Sequence, residues 1–304
     1  MVDEIKNKAL ALGFDLCGIA RVRPLDEHRQ KLRNWLAKTY HAEMTYMTRH
    51  YEKRINPSLL VPDARTVIVT GVNYFNKYEP RDDQPEFAIY ALGKDYHRVL
   101  KDRLYLLLDF IKSKDPETRG RPFVDTAPVL ERAWAVEAGL GWIGKNSMLI
   151  NKDLGSFLFL GVLIINRELE YNNTISKDLC GKCTRCIDAC PTGAILENRT
   201  IDSNKCISYL TIENKGSIAE KYTEKIGKKI FGCDICQTVC PWNSRVKETA
   251  IKEFEPLPEI LKYTVDDWKN ITEEEFNTVF KDSAVLRTGY EGFMRNLEDL
   301  RFKI

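Results

Sequence analysis

Nine cysteines occur in this chain of 304 residues, and eight of them lie between residues 180 and 240. They form two runs with one cysteine between them: Cys180-x2-Cys183-x2-Cys186-x3-Cys190-Pro191, Cys206, and Cys233-x2-Cys236-x3-Cys240-Pro241. Cysteines three or four positions apart, closed by proline, are typical of loops that wrap an iron–sulfur cube and bind it through thiolate sulfur. Two such runs predict two 4Fe–4S clusters in a ferredoxin-like module that transfers electrons.

The spacing also predicts which cysteines share a cluster. In two-cluster ferredoxins the fourth cysteine of a run binds the other run's cluster. We therefore assign cluster 1 to Cys180, Cys183, Cys186 and Cys240. The second set needs one more thiol, and the lone cysteine supplies it, so cluster 2 is assigned to Cys190, Cys206, Cys233 and Cys236. Cys17 remains; it lies in an apolar, strand-like segment and is interpreted as a small buried residue.

Zinc is the alternative metal, since paired Cys-x2-Cys motifs also form tetrahedral zinc sites. Zinc needs two such pairs, whereas the first run places three thiolates before a fourth that precedes proline. Disulfides are disfavoured because no secretory signal is recognisable and crowded cysteines fit a reducing compartment. The longest apolar stretch, residues 157–165, is much shorter than a membrane helix requires. A cytoplasmic protein without a membrane partner is expected.

Composition fits a soluble globular protein, with 43% hydrophobic and 30% charged residues. A net charge of +2 gives no overall attraction to nucleic acid, so an RNA contact would need a local basic face. One candidate face carries four lysines between the cysteine runs, which either form a solvated helix face or contact phosphates. These are Lys221, Lys225, Lys228 and Lys229.

Three parts are predicted, and the overall fold class is α+β. Residues 1–172 alternate helical and strand patterns, which indicates an α/β or α+β domain of unknown sheet order. Strands are predicted at 65–75, 147–150 and 156–165, with a long amphipathic helix around residues 100–111 and another helix beginning at Pro128. Residues 173–245 form the ferredoxin-like module. Residues 246–304 form a helical tail, in which Thr272 and Glu275 have capping-box spacing.

The first domain contains neither a G-x-G-x-x-G fingerprint nor a P-loop. A cobalamin-ligating motif of the type Asp-x-His-x-x-Gly is incomplete, because Leu100 stands where Asp95-Tyr96-His97 would require glycine. His97 is therefore interpreted as an ordinary helix residue. The residues by themselves predict a two-cluster redox enzyme and no more.

Several segments together resemble the epoxyqueuosine reductase family, in the family's order and over nearly the whole chain. Besides the cysteine runs they are YEKRINP (51–57), ALGKDYH (91–97), VDTAPVLE (124–131), GLGWIGKN (139–146), GSFLFLG (155–161) and RTGYEGFMRN (287–296). The resemblance implies reduction of the epoxide of epoxyqueuosine to queuosine at the wobble position of tRNA. It also implies cobalamin, held without a protein His ligand in a domain similar to that of reductive dehalogenases. A flavodoxin or ferredoxin would donate electrons, and a monomer is expected.

The resemblance places the family's proton donor on Asp125. As an acid, Asp125 would need a pKa raised by burial; its alternative role is to cap the helix beginning at Pro128. Arg54 matches a position that contacts cobalamin, for which a guanidinium is suited. Other implied cofactor contacts are Lys145, Asn146, Leu149, Leu160, Leu163, Ser208, Cys233 and Asp234.

Two departures from the family pattern bear on function. Some members have a cysteine nine residues before the histidine of the Asp-Tyr-His segment, where this chain has Ala88. Many members continue into helical repeats after the Arg-Asn motif that ends at Asn296, so RNA binding here is expected to depend on the cluster module, the tail and the active-site rim. Two other functions stay open: a different corrinoid iron–sulfur reductase, such as a dehalogenase, and an electron-transfer subunit without chemistry of its own.

Overall fold

The structure is a computed structural model that describes residues 1–171 and 176–300. The boundary predicted between residues 172 and 173 and the last four residues of the tail lie outside the described residues. The strands are β1 Leu16–Arg21, β2 Thr66–Asn73, β3 Glu86–Phe87, β4 Gly120–Phe123, β5 Trp142–Ile143, β6 Leu149–Ile150, β7 Leu158–Ile165, β8 Ile195–Leu196, β9 Thr200–Ile201 and β10 Lys229–Phe231. The α-helices are α1 Val2–Ala11, α2 Asp26–Ala37, α3 Tyr51–Ile55, α4 Tyr96–Lys114, α5 Glu131–Glu137, α6 Arg185–Asp188, α7 Ile207–Ile212, α8 Glu220–Ile226, α9 Ile235–Thr238, α10 Pro258–Lys262, α11 Val265–Lys269, α12 Glu273–Val279 and α13 Gly289–Glu298.

The first domain is built on a four-stranded sheet in the order β1-β2-β7-β4. Every neighbouring pair in it is antiparallel, which decides between the two classes left open for this domain in favour of α+β. The central strands β2 and β7 are buried along their whole length. β7 is apolar throughout, whereas β2 also carries Thr66, Thr70 and Asn73, whose buried side chains are hydrogen-bonded. Both lie within strands predicted from sequence, whereas the run 147–150 contributes only the two-residue β6.

Helices cover both faces of this sheet. The predicted amphipathic helix is α4, whose buried residues are Leu100, Leu104, Leu107, Leu108 and Ile111. With α1 it covers one face, while α5 packs on the other. The chain leaves α1 through Gly13, whose φ of +84° requires glycine at this position after the helix.

The helix predicted to begin at Pro128 begins three residues later, at Glu131, with Leu130 as its N-cap. The intervening chain is folded into tight turns, because the Thr126 N–H donates to the Val124 carbonyl at 2.6 Å. Asp125, the middle residue of that turn, has a φ of +52°. Consequently neither Asp125 nor Thr126 caps the helix, and the capping interpretation of Asp125 is wrong.

The tail is helical as predicted, and Thr272 and Glu275 form the predicted capping box at the start of α12. It does not build a core of its own. Its aromatic residues Trp268, Phe280 and Phe293 pack against Phe87 of the first domain. One hydrophobic core therefore includes the tail, α4 and one face of the main sheet. Within the described residues, no helix has both the length and the apolar character needed to span a membrane.

Candidate active site and cluster-binding loops

The eight clustered thiols lie in two neighbouring groups. Cys186 is within electrostatic reach of the other thiols assigned to cluster 1, namely Cys180, Cys183 and Cys240. Cys206 is within reach of Cys190, Cys233 and Cys236. The membership of the two groups is the one that the spacing predicts. Cys236 and Cys186 also influence each other, so the groups adjoin.

The environment of these thiols bears on the metal centre that they could bind. Burial raises the pKa of Cys233 to about 12 and that of Cys206 above its usual range, so thiolates here need positive charge beside them. In the described part of the chain no three His, Cys, Asp or Glu side chains meet closely enough to hold a single ion. The thiolates of an iron–sulfur cube bind different iron atoms and stay further apart than zinc ligands. Two adjoining sets of four thiols are the ligands that two 4Fe–4S cubes require.

The Arg-Asn motif of α13 fixes the helix that follows Cys206. Arg295 donates to the carbonyls of Leu210 and Asn214, at 3.1 and 2.7 Å. The Asn296 amide donates to the carbonyls of Thr211 and Ile230, at 2.7 and 2.8 Å. Since α7 begins directly after Cys206, the tail positions the isolated thiol relative to β10 and the second cysteine run.

A buried polar network joins the second cysteine run to the start of β7. Asn243 accepts from the Ser156 N–H at 2.7 Å and donates to the Gln237 carbonyl at 2.7 Å. Gln237 in turn accepts from the Ser156 hydroxyl at 3.0 Å and donates to the Tyr74 hydroxyl at 3.2 Å. Buried groups that satisfy one another in this way fix one arrangement of the module on the sheet.

Gly155, next to this network, allows close approach. A Cβ there would lie 2.1 Å from Asn243 Oδ1, and the residue has a φ of +66°. We expect Gly155→Ala to lower the free energy of unfolding by about 3 kcal/mol, from backbone strain plus displacement of Asn243. Gly193→Ala is the matched control, because Gly193 has a φ of +64° with nothing within 4 Å of a Cβ; about 1 kcal/mol is expected. Urea unfolding of both variants measures the difference, and equal losses would contradict the clash.

Asp125 lies in the turn after β4, in a left-handed conformation that costs a non-glycine residue energy and is common at functional sites. Its Oδ2 accepts a hydrogen bond of 2.8 Å from the Tyr96 hydroxyl and lies 3.4 Å from His97 Nε2. Desolvation by itself would raise the pKa of Asp125. Water still reaches the side chain, which is 63% exposed, and the bonds from His97 and Tyr96 hold the pKa below its usual range.

His97 occupies the first turn of α4 between two carboxylates. Its Nδ1 lies 2.6 Å from Oδ1 of Asp95, the N-cap residue whose side chain also accepts from the His97 N–H. Partial burial favours neutral imidazole, but the two carboxylates outweigh it and raise the pKa of His97 to about 9. This pairing stabilises the fold fully below pH 6.5, the ordinary histidine value, and is lost as pH rises through about 9.

Glu131, at the start of α5, holds the Asp125 turn through a hydrogen bond to its backbone. Its Oε1 accepts the Asp125 N–H at 2.6 Å. Burial, followed by the charge of Asp125, raises the pKa of Glu131 to about 8. Two neighbouring carboxyl groups thus have pKa values moved in opposite directions, an arrangement used for proton transfer in many active sites.

Comparisons with known proteins show the family of this chain. Residues 54–126 match the family model described as "Epoxyqueuosine reductase QueG, DUF1730", and residues 179–243 match the "4Fe-4S double cluster binding domain" model. An epoxyqueuosine reductase of Cyclobacterium marinum is 50% identical over 96% of this chain and 94% of its own length. The chain belongs to the epoxyqueuosine reductase family. The Escherichia coli member is 40% identical over 98% of this chain and 79% of its own.

Solved structures of the family superpose closely on this reductase. An epoxyqueuosine reductase crystallised with an epoxyqueuosine-modified tRNA-Tyr stem loop has a TM-score of 0.91 and 33% identity, covering 98% of this chain and 80% of that one. A Bacillus subtilis structure, described as having its catalytic aspartate loop swung out of the active site, has a TM-score of 0.90 at the same identity and coverage. The α+β class, the two 4Fe–4S clusters and the oxidoreductase class predicted from sequence are confirmed.

Arg54 fits a cofactor contact of the reductase. Its side chain is 8% exposed and donates through Nη2 to the Tyr46 carbonyl at 2.9 Å. Its Nε is buried without a hydrogen-bond partner among the described protein groups. A buried donor left over in this way is costly unless a ligand satisfies it, and the amide and phosphate oxygens of cobalamin would do so. Burial lowers the pKa of this guanidinium, and the charge of Asp125 lies within reach.

The other residues predicted to contact the cofactor differ in how deeply they are buried. Asn146 is buried and donates to the Cys236 carbonyl at 3.2 Å, while Lys145 and Ser208 are half-buried. Asp234 ties the second cysteine run to the first domain, since its Oδ2 accepts the Ile89 N–H at 2.6 Å; burial raises the pKa of Asp234 to about 6. Ala88, where some members have cysteine, donates its N–H to the Phe231 carbonyl at 2.7 Å.

The three leucines do not share one surface. Leu149 and Leu160 pack in the core beneath α5. Leu163, three positions along β7 from Leu160, is 0% exposed and packs on the opposite face of the sheet, beneath α4. Because side chains alternate along a strand, Leu160 and Leu163 cannot line the same cavity. The Leu163 side chain is a core residue of the α4 face, and the cofactor contacts of Leu149 and Leu160 stay a prediction.

Sequence reasoning missed His97 and Glu131. His97 was interpreted as an ordinary helix residue, although the Asp95-Tyr96-His97 triplet contained a signal: an N-cap aspartate two positions before a histidine can bind its ring. Glu131 gave no signal, because its role depends on the turn at Asp125. Two lysines of the basic stretch are engaged in ion pairs, Lys228 with Asp82 at 3.1 Å and Lys229 with Glu86 at 2.9 Å, which favours a structural role for them over phosphate contact.

Proposed function

We propose that this protein reduces the epoxide of epoxyqueuosine to queuosine at the wobble position of tRNA, the last step of queuosine biosynthesis. The observation that carries the proposal is the Asp125 site, a carboxylate on a strained turn with charged and phenolic proton donors, in a near-full-length member of the family. A relative crystallised with the modified tRNA stem loop supports the substrate class. Because its substrate is tRNA, the enzyme would work in the cytoplasm.

The residues of this chain have three tasks in the reaction. Cobalamin, when bound and supplied with electrons by the two clusters, would provide the two electrons that break the epoxide C–O bonds. Arg54, with Asn146, Lys145 and Ser208 around it, would hold and orient the cofactor. Asp125 would protonate the oxygen released from carbon, as a general acid. The cysteine sets assigned above would bind the clusters.

Proton supply sets a requirement on the site. Conversion of an epoxide to an alkene consumes two electrons and two protons and releases one water molecule. The first proton goes to the alkoxide formed when one C–O bond breaks, and the second to the hydroxyl that leaves as water. The site must therefore deliver a proton twice in each turnover.

Electrons would enter at cluster 1. Cys183 is exposed and the other cluster 1 cysteines are half-buried, whereas Cys206 and Cys233 pack beside the core of the module. Lys182 and Arg185 are exposed on the same run, so an acidic carrier such as a flavodoxin or ferredoxin suits this face. Cluster 2 would pass electrons onward, since Asp234 and Asn146 connect its loop to the first domain. We propose that one chain suffices for the reaction.

Nucleoside analysis of tRNA tests the function. The chain is expressed, with cobalamin supplied, in Escherichia coli cells deleted for their own epoxyqueuosine reductase. We expect epoxyqueuosine to disappear from digested bulk tRNA and queuosine to return. A vector without the gene is the negative control, and the Escherichia coli enzyme is the positive one. If epoxyqueuosine persists although the protein carries iron and cobalamin, the proposal is wrong.

A further inference from the structure

Two proton-bearing side chains lie beside the Asp125 carboxylate: the Tyr96 hydroxyl is 2.8 Å and His97 Nε2 is 3.4 Å from its Oδ2. The sequence predicted that Asp125 needs a raised pKa to act as an acid, but His97 and Tyr96 hold its pKa low. An ionised Asp125 can give a proton to substrate only if it first receives one. The neighbouring groups decide where that proton comes from.

We propose that His97, held between Asp95 and Asp125, passes its proton to the Asp125 carboxylate, so that Asp125 delivers protons that His97 supplies. This inference rests on the proposed function. His97 Nε2 lies 3.4 Å from Asp125 Oδ2, close enough to pass a proton to this carboxylate. Asp95 holds the other ring nitrogen at 2.6 Å and so fixes the direction of the ring. His97 acts through Asp125 and is a positioning residue, not a catalytic one.

The transfer balances in protons. The His97 imidazolium gives its Nε2 proton to Asp125 Oδ2, and Asp125 gives a proton to the alkoxide oxygen, while the two electrons come from the proposed redox chemistry. Neutral His97 keeps the proton on Nδ1, where it is hydrogen-bonded to Asp95. It recovers the Nε2 proton from water, since its side chain is 28% exposed. A repeat of the transfer protonates the hydroxyl that leaves as water. Asp125 is ionised again at the end.

Groups from several segments of the chain surround this pair. The ring of Tyr96 stacks on His97 with centroids 4.1 Å apart, and its hydroxyl donates to Asp125. The other titratable or charged groups that interact with this pair are Asp95, Glu131, Arg132, Arg54, Arg287, Tyr46 and Tyr90. Glu131 is the competing source of a proton. However, its Oε1 accepts the Asp125 backbone N–H, which assigns it to holding the turn.

The charge state of His97 can be measured without turnover. The chain has four histidines, so selective ¹³C labelling of histidine gives a short spectrum of the holoprotein with oxidised clusters. His97→Gln identifies the His97 signal. We expect this signal to titrate near pH 9 and to move to lower pH in Asp125→Asn. A His97 that is neutral at pH 7 would overturn the proposal.

Single-turnover reduction of epoxyqueuosine-tRNA tests the transfer itself. The wild-type rate is expected to fall as pH rises through about 9, because the imidazolium is lost. His97→Gln keeps a hydrogen-bonding side chain without a titrating proton. It is expected to be about 10²-fold slower at pH 7 and to lack this alkaline decline, with iron and cobalamin content unchanged. Equal rates and pH profiles for the variant and the wild type would overturn the proposal.

Glu131→Gln separates the two proton sources. It is expected to keep the alkaline decline of the wild type, whatever its rate. If Glu131→Gln loses the decline while His97→Gln retains it, the proton comes from Glu131 and the proposal is wrong. Wild-type protein that leaves the modified tRNA unchanged would instead overturn the proposed function, and the histidine titration would still show whether His97 holds the proton.

Discussion

Asp125→Asn is expected to slow the reduction of epoxyqueuosine-tRNA by about 10²- to 10⁴-fold, the range lost when a general acid is removed. Asparagine tolerates the left-handed conformation that residue 125 adopts, at a φ of +52°. Its amide can accept the bond from Tyr96 but cannot carry a proton to the alkoxide. The loss should therefore appear in the rate of a single turnover, with iron content, cobalamin affinity and thermal stability close to those of the wild type.

Asp63→Asn is the matched control for this substitution. Asp63 is another aspartate with positive φ, at +57°, but it pairs with Arg119 on the surface, away from the candidate site. Its replacement should leave the rate unchanged, which isolates the chemical role of Asp125 from the cost of its backbone. Asp125→Asn activity within about threefold of wild type would exclude the general-acid role, because that is far less than acid catalysis contributes.

The sequence predicted those elements and motifs whose residues follow one another at a fixed spacing. The cysteine runs predicted the iron–sulfur module because one short loop supplies three thiols of cluster 1 and another supplies two of cluster 2. The periodic leucines of α4 and the apolar residues of β2 and β7 predicted their elements because burial imposes a period on each. The Thr272–Glu275 capping box needed only four consecutive residues.

The active site could not be predicted to the same depth, because its geometry arises from contacts between distant segments. The low pKa of Asp125 depends on His97 and Tyr96, which lie 28 and 29 positions earlier in the sequence. A proline at position 128 suggested a helix start, but the turn at Asp125 delays the helix to Glu131. The face on which Leu163 lies follows from the register of β7, which sequence alone left open.

Cys206→Ser is expected to remove cluster 2 and with it all reduction of the tRNA epoxide. Cys206 belongs to neither cysteine run, so a cluster that needs it depends on the docking of α7 by Arg295 and Asn296. Iron in anaerobically purified protein should fall from about eight to about four atoms per chain, because one cube loses a ligand while the other keeps all four. Iron and sulfide assays, with electron paramagnetic resonance of the reduced protein, measure the loss.

Cys17→Ala distinguishes this effect from the general cost of losing a cysteine. Cys17 lies in β1 and contacts the main core, and burial raises its pKa to about 12, so it has the character of an apolar core residue. Its variant should keep the full iron content and turnover. Full iron in the Cys206 variant would remove Cys206 from the ligand set. Zinc in place of iron in the wild type would remove the electron path on which reduction by this fold depends, because zinc has no redox chemistry.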